Sequence, residues 1–159
     1  LKFKGKYQVK HFDKDGVLKG TYDIDNDVGT VGKTALLDSF FRNQTQPAAW
    51  YIGIIDNSGF TALAVGDTMA SHSGWNEFTT YSQSTRVAWG PDAASAASIT
   101  NGTKATFDIT GSGTLKGIFV NSVSTKSGTT GTLWSTAAFA ATVAVVNGDS
   151  LKITYTLSC

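Results

Sequence analysis

The sequence predicts a mainly β protein, an antiparallel two-sheet β-sandwich of jelly-roll-like type with one short helix near residues 31–42. Three observations predict it. The clearest is alternation: Leu151, Ile153, Tyr155 and Leu157 fall on one face and Lys152, Thr154 and Thr156 on the other, the two-residue period of a half-buried strand. Composition agrees. There are 17 glycines, many Val, Ile, Phe, Tyr and Trp residues, and a single glutamate, Glu77, among 12 acidic residues, a mixture that favours strands joined by turns over helices. Turn-forming clusters also separate about eight such runs at fairly even intervals, as in sandwiches. The 159 residues suit one domain, spanning 1–159. A body of that size buries roughly 70% of its unfolded surface and holds a core without metal or disulfide staples.

Residues 3–11 place Phe3, Gly5, Tyr7, Val9 and His11 on one face and Lys4, Lys6, Gln8 and Lys10 on the other. After the turn signal Asp13-Lys14-Asp15-Gly16, Leu18, Gly20, Tyr22 and Ile24 alternate again. Residues 1–28 are therefore expected to form an N-terminal β-hairpin that can serve as a docking arm. The lysine row has two readings. Lysines discourage stray pairing on an edge strand, the simpler of the two; alternatively they form a docking face for an acidic partner.

The carboxylates of Asp23, Asp25 and Asp27 alternate as in a calcium loop, but Val28 and Thr34 stand where an EF-hand needs Gly and Glu, so a solvated strand end is expected. The stretch from Val28 to Leu37 has a superficial likeness to a phosphate-binding loop. Asp27 occupies the position of its first glycine and would repel phosphate, and the alternating strand–helix units of such folds are missing. The better reading is a helix N-capped by Thr30 and ending near Arg42 and Asn43. Its stripe of Leu36, Leu37, Phe40 and Phe41 should lie against a sheet or a neighbouring subunit.

The run from Trp50 to Asp56 is apolar on both faces, which predicts a central strand. Residues 64–84 read as a long loop with one helical turn from Asp67, pinned by Trp75, Phe78 and Tyr81; loops of that length are usually functional or interfacial. Arg86 to Trp89 is a short strand stopped by Gly90-Pro91, and 92–102 a surface loop. Strands follow at Ala105, Phe107 and Ile109 and at 115–123, then a Gly, Ser and Thr loop over 124–132. Val143, Val145 and Val146, joined through Asn147-Gly148-Asp149 to the strand from Leu151, predict a hairpin closing a sheet.

The formal charge of +1 supplies no electrostatic reason to bind nucleic acid or an anionic membrane. No apolar run approaches the roughly 20 residues that span a bilayer, and no apolar segment of signal-peptide type follows the basic N-terminus. The lone Cys159 cannot form an internal disulfide, which fits a reducing cytosol and a solvent-facing thiol. His11 falls on an apolar strand face, where a satisfied, partly buried histidine is expected. His72 sits among hydroxyls without a nucleophile-elbow sequence. Glu77 with Asp67 or Asp92 lacks any spacing specific to a glycosidase, and no His, Cys or carboxylate cluster has ligand spacing. No catalytic, cofactor-binding or metal residues are therefore expected, and no small-molecule substrate. Trp50, Trp75, Trp89 and Trp134 can stack on sugars, but core packing is the commoner use. Asn43-Gln44-Thr45 and Asn101-Gly102-Thr103 have the form of glycosylation sequons, read as chance without a secretion signal.

Several segments carry a resemblance: Trp50-Tyr-Ile-Gly-Ile-Ile-Asp-Asn-Ser-Gly-Phe60, Asp67-Thr-Met-Ala-Ser-His-Ser-Gly-Trp75, Arg86-Val-Ala-Trp-Gly-Pro91, Thr114-Leu-Lys-Gly-Ile-Phe-Val120, Gly131-Thr-Leu-Trp134 and Gly148 to Leu157. Together they resemble small structural proteins of tailed bacteriophages over most of the chain after residue 28, and among those most the capsid cement or decoration proteins. The resemblance implies a non-enzymatic virion protein, a homotrimer on the outer capsid surface made in the host cytoplasm, with the major capsid protein as partner. Lys2, Lys4, Lys6 and Lys10 are then the candidate capsid-docking residues. Asp67, Met69, His72, Trp75, Phe78 and Tyr81 form the candidate subunit-contact loop. The alternative is a tail-associated or receptor-binding module that recognises host glycans through exposed aromatics; such proteins commonly add coiled-coil or repetitive shaft sequence, which this chain lacks.

Overall fold

Alternating side chains and turn residues produce the sandwich that the sequence predicts. The computed structural model describes residues 2–26 and 28–159. In chain order the elements are β1 (Lys4–Phe12), β2 (Leu18–Asn26), α1 (Thr30–Phe41), β3 (Tyr51–Asp56), β4 (Asn76–Phe78), β5 (Val87–Ala88), β6 (Ser98–Thr100), β7 (Ala105–Asp108), β8 (Gly113–Asn121), β9 (Leu133–Val145) and β10 (Ser150–Ser158). One antiparallel sheet runs β2-β1-β10-β6, with β7 also paired to β10; the other runs β4-β3-β8-β9, with β5 also paired to β3. The first strand pairs with the last over nine residues, from Lys4 opposite Ser158 to Phe12 opposite Ser150. That long-range pairing makes the termini part of the scaffold.

The two inner faces meet in one core. Tyr7, Val9 and Ile24 from β1 and β2, with Leu151, Ile153 and Tyr155 from β10, pack against Ile52, Ile54, Ile118, Val120, Phe139 and Val143 of the other sheet. Tyr7 and Tyr155 stack at 4.3 Å between ring centres. Their hydroxyls are not stranded: Tyr7 shares a 2.6 Å hydrogen bond with Ser135, and Trp134 Nε1 donates to Tyr155. Burial pushes both phenols above their ordinary pKa, so both stay neutral donors.

The expected central strand is present. Ile52 and Ile54 of β3 point into the main core, whereas Ile55 joins Met69, Trp75, Phe119 and Leu133 in a second cluster on the outer side of the same sheet. Gly53 lies directly under the Phe119 ring, where a Cβ would collide with it.

Several expectations need correction. About eight strands were expected; among the described residues there are ten, because β4 lies within 64–84 and β6 within 92–102. The turn at Asp67 is not helical: Thr68 and Ser71 form a tight antiparallel bridge. The cap of α1 is Gly29, with no side-chain hydrogen bond, rather than Thr30, whose backbone N–H donates to Val65 O. Asp23 and Asp25 lie in the extended strand β2, paired with β1, and Asp27 falls outside the described residues.

The closing hairpin is the larger correction. β9 pairs with β8 and β10 with β1, so Asn147-Gly148-Asp149 is a corner carrying the chain from one sheet to the other. Gly148 takes the left-handed backbone (φ 91°) that this corner needs. Alternation and a turn signal are shared by hairpins and sheet-switching corners alike, so the local sequence could not separate them.

Candidate functional site

Chemistry-bearing side chains are mostly consumed by the scaffold. His11 on β1 is satisfied as expected but fully rather than partly buried: it shares a 2.7 Å hydrogen bond with Asp149 at the sheet-switching corner, and Lys19 Nζ donates to the same carboxylate oxygen at 2.8 Å. Backbone N–H of Val146 completes the set. Burial alone would raise the Asp149 pKa, but the bonds from Lys19, His11 and Val146 outweigh it and hold the carboxyl below its usual range.

Glu77 is bound into the scaffold in a similar way. It receives Arg86 through Nε at 2.9 Å and a terminal nitrogen at 2.8 Å, and the backbone N–H of Ser127 at 2.7 Å. Arg86 in turn donates to Val123 O and Gly128 O. This buried pair therefore ties β4 and the segment before β5 to the 124–132 loop. His72 stacks on Trp75 at 3.9 Å, with Nδ1 3.0 Å from Trp75 O. Among the described residues, no group of three or more His, Cys, Asp or Glu side chains could hold a metal ion.

The candidate contact loop lands differently from expectation. Met69, Trp75, Phe78 and Tyr81 are all buried in this chain's own core, and Asp67 accepts the Trp75 indole N–H at 3.0 Å. Their side chains cover their own sheet, which leaves little of the six for a neighbour beyond partly exposed Asp67 and His72. Trp89 and Trp134 are buried as well, each with its N–H bound to Tyr155, which leaves Trp50 as the one half-buried tryptophan. Apolar period and apolar content look the same whether a loop covers its own sheet or another subunit, so sequence reasoning missed this.

Two surface features remain. The first is the lysine row. β1 lies between β2 and β10 and is not an edge strand, so its lysines guard no edge. Lys4, Lys6 and Lys10 project from the outer face of that sheet, and Lys2 is exposed just before it. Lys10 stands directly opposite Lys152 of β10, and neither forms an ion pair among the described residues. Asp23 offsets part of the charge, 3.8 Å from Lys6. Exposed Asp25, opposite Lys6 on β2, offsets more of it, so the outer face bears threonines and an excess of lysine.

The second feature was half-legible. α1 was expected to press its stripe against a sheet or a neighbour. Instead Gly32 is the residue buried against Trp134, where a Cβ would stand 2.7 Å from the Trp134 carbonyl oxygen. Leu36 packs on the core, while Leu37 is 56%, Phe40 77% and Phe41 75% exposed. Beside this flank opens an apolar cleft of about 220 Å³, lined by Ala35, Leu36, Phe40, Trp50, Trp134 and Leu157 among others. The helix presents its smallest residue to its own sheet and its largest to solvent.

No model of a known protein family matches this chain, and no curated protein matches it. The surfaces themselves must carry any functional reading.

Proposed function

We propose that this chain is a structural virion protein of a tailed bacteriophage, a decoration protein that binds the outer shell and staples neighbouring capsomers. The observation that carries the reading is the lysine row on an interior strand. Like charges placed directly opposite on a sheet destabilise it, and β1 needs no protection from stray pairing, so Lys10 and Lys152 are best accounted for by an acidic surface that covers them. Major capsid protein supplies that surface in this reading. The histidines and Glu77 serve as clasps within the scaffold, which favours a binding role over turnover.

The test uses virions from which the gene has been deleted. They are expected to lose heat and low-salt stability while adsorbing to hosts normally, and purified protein is expected to re-bind the stripped shells with an affinity that falls as salt rises. Copy number separates the locations. Several hundred copies per particle fit the shell; a few to some dozens would move the protein to the tail and revive the glycan-binding alternative. Unchanged stability with lost adsorption would overturn the decoration role.

A further inference from the structure

From the flank of α1 and the cleft beside it, we infer that this chain associates with a second copy of itself, the Phe41 ring of one copy entering the apolar cleft of the other. The inference stands on the helix and does not depend on the virion reading.

Size is the first argument. An apolar cavity of about 150 Å³ lined by aliphatic and aromatic side chains takes up a benzene ring. The cleft here is about 220 Å³ and is walled by Leu36, Phe40, Trp50, Trp134 and Leu157, so one phenyl ring fits. A phenyl ring of the right size stands exposed one residue beyond its lip, on Phe41.

Area is the second argument. Leu37, Phe40 and Phe41 together leave on the order of 400 Å² of apolar side chain in water. An interface of standard size buries about 800 Å² per partner, of which roughly 450 Å² is apolar. The flank therefore supplies nearly all the apolar surface that one side of a stable interface needs. Lys33 on the helix and Arg42 at its C-cap, with Asp38 holding Arg42 at 3.1 Å, supply a charged rim.

Phe41 follows Phe40, a wall of the cleft, directly in the chain, so knob and cleft adjoin. Paired about a two-fold axis, both copies insert at once and the contact is closed. Phe40 plays a different part, walling the cleft that receives the neighbour's ring.

Sedimentation of the full chain over a concentration series tests this. Wild-type protein is expected to be larger than a monomer at tens of micromolar, and Phe41→Asp to raise the dissociation constant at least about tenfold, since burying a phenyl ring is worth that much or more. Ala35→Phe, which fills the cleft from within, should have the same effect with Phe41 intact. Thermal melts of the dissociated variants, compared with wild type at high dilution, check that each is folded. A monomeric wild type, or Phe41→Asp protein that still assembles with wild-type affinity, overturns the proposal. So does a monomeric wild type whose shell binding is lost in Phe41→Asp, because another protein then fills the cleft.

Discussion

The two sheets of this sandwich share a core and differ in what lies behind them. The sheet of β3, β8 and β9 is covered on its outer side by the segment between β3 and β4, which lays Met69 and Trp75, with half-buried Phe60 and Leu63, over Ile55, Phe119 and Leu133. Among the described residues nothing covers the sheet of β2, β1 and β10 in this way, and its outer row has Lys4, Lys6 and Lys152 exposed and Lys10 and Thr154 half-exposed. The strands record the difference: β3 is buried at four consecutive positions, whereas β1 alternates from Lys4 to Phe12. Large aromatics in a loop therefore mark a covered sheet here, and the surface free for a partner lies where the pattern is plainest.

That contrast breaks first at Trp75. Its indole is 1% exposed, tilts against Phe119 at 5.1 Å and donates to Asp67. Trp75→Ala is expected to cost about 3–5 kcal/mol in urea unfolding. Truncation on the open face, Thr154→Ala, should stay within about 0.5 kcal/mol. Similar losses at both positions would show that the outer layer contributes no more than a solvated face.

The Glu77–Arg86 pair is the next largest test, because it holds the edge of the covered sheet. Glu77→Gln keeps the shape but removes the charge from two hydrogen bonds to a guanidinium that is wholly buried. We expect a loss of about 2–3 kcal/mol, with earlier proteolysis in the 124–132 loop. An unchanged denaturant midpoint would mean that Val123 O and Gly128 O satisfy Arg86 unaided.

Asp149 joins the two sheets, and its contribution depends on pH. Its folded-state pKa lies below that of the unfolded chain, so the stabilisation is complete above the ordinary aspartate value of about 3.9 and is lost as pH falls through the lowered folded value. Asp149→Asn should destabilise by about 1–3 kcal/mol at neutral pH. The gap between variant and wild type should then narrow below about pH 4. A gap that stays constant into acid would remove the carboxylate's charge from the account.

Much of the scaffold was legible because local rules decide it. Gly16 takes a positive φ in the predicted first turn, Asp13 accepts the backbone N–H groups of Asp15 and Val17 there, and β10 buries Leu151, Ile153 and Tyr155 as alternation requires. What stayed hidden depends on which distant strand becomes the neighbour. Nothing near Lys10 tells that Ser150–Ser158 lies on one side and Leu18–Asn26 on the other, so an interior strand resembled an edge. The same limit turned the corner at Gly148 into an apparent hairpin. The apolar stripe of α1 was visible, but its outward direction follows from Gly32 meeting Trp134, a contact 102 residues away in sequence that no local pattern encodes.

A small expected gain in stability is also the sharpest test of the open face. Lys10→Glu replaces a like-charge pair with an opposite-charge pair across from Lys152, which should stabilise the fold by about 0.2–1 kcal/mol, an effect that salt screens. If the face docks on an acidic surface, the same substitution puts repulsion where attraction stood, and re-binding to stripped shells should weaken most at low salt. A variant that melts higher and binds worse would separate the needs of the fold from those of the partner. If Lys10→Glu melts higher and binds as well as wild type, the lysine row has no docking role, and the contact with the shell must be sought elsewhere on the surface.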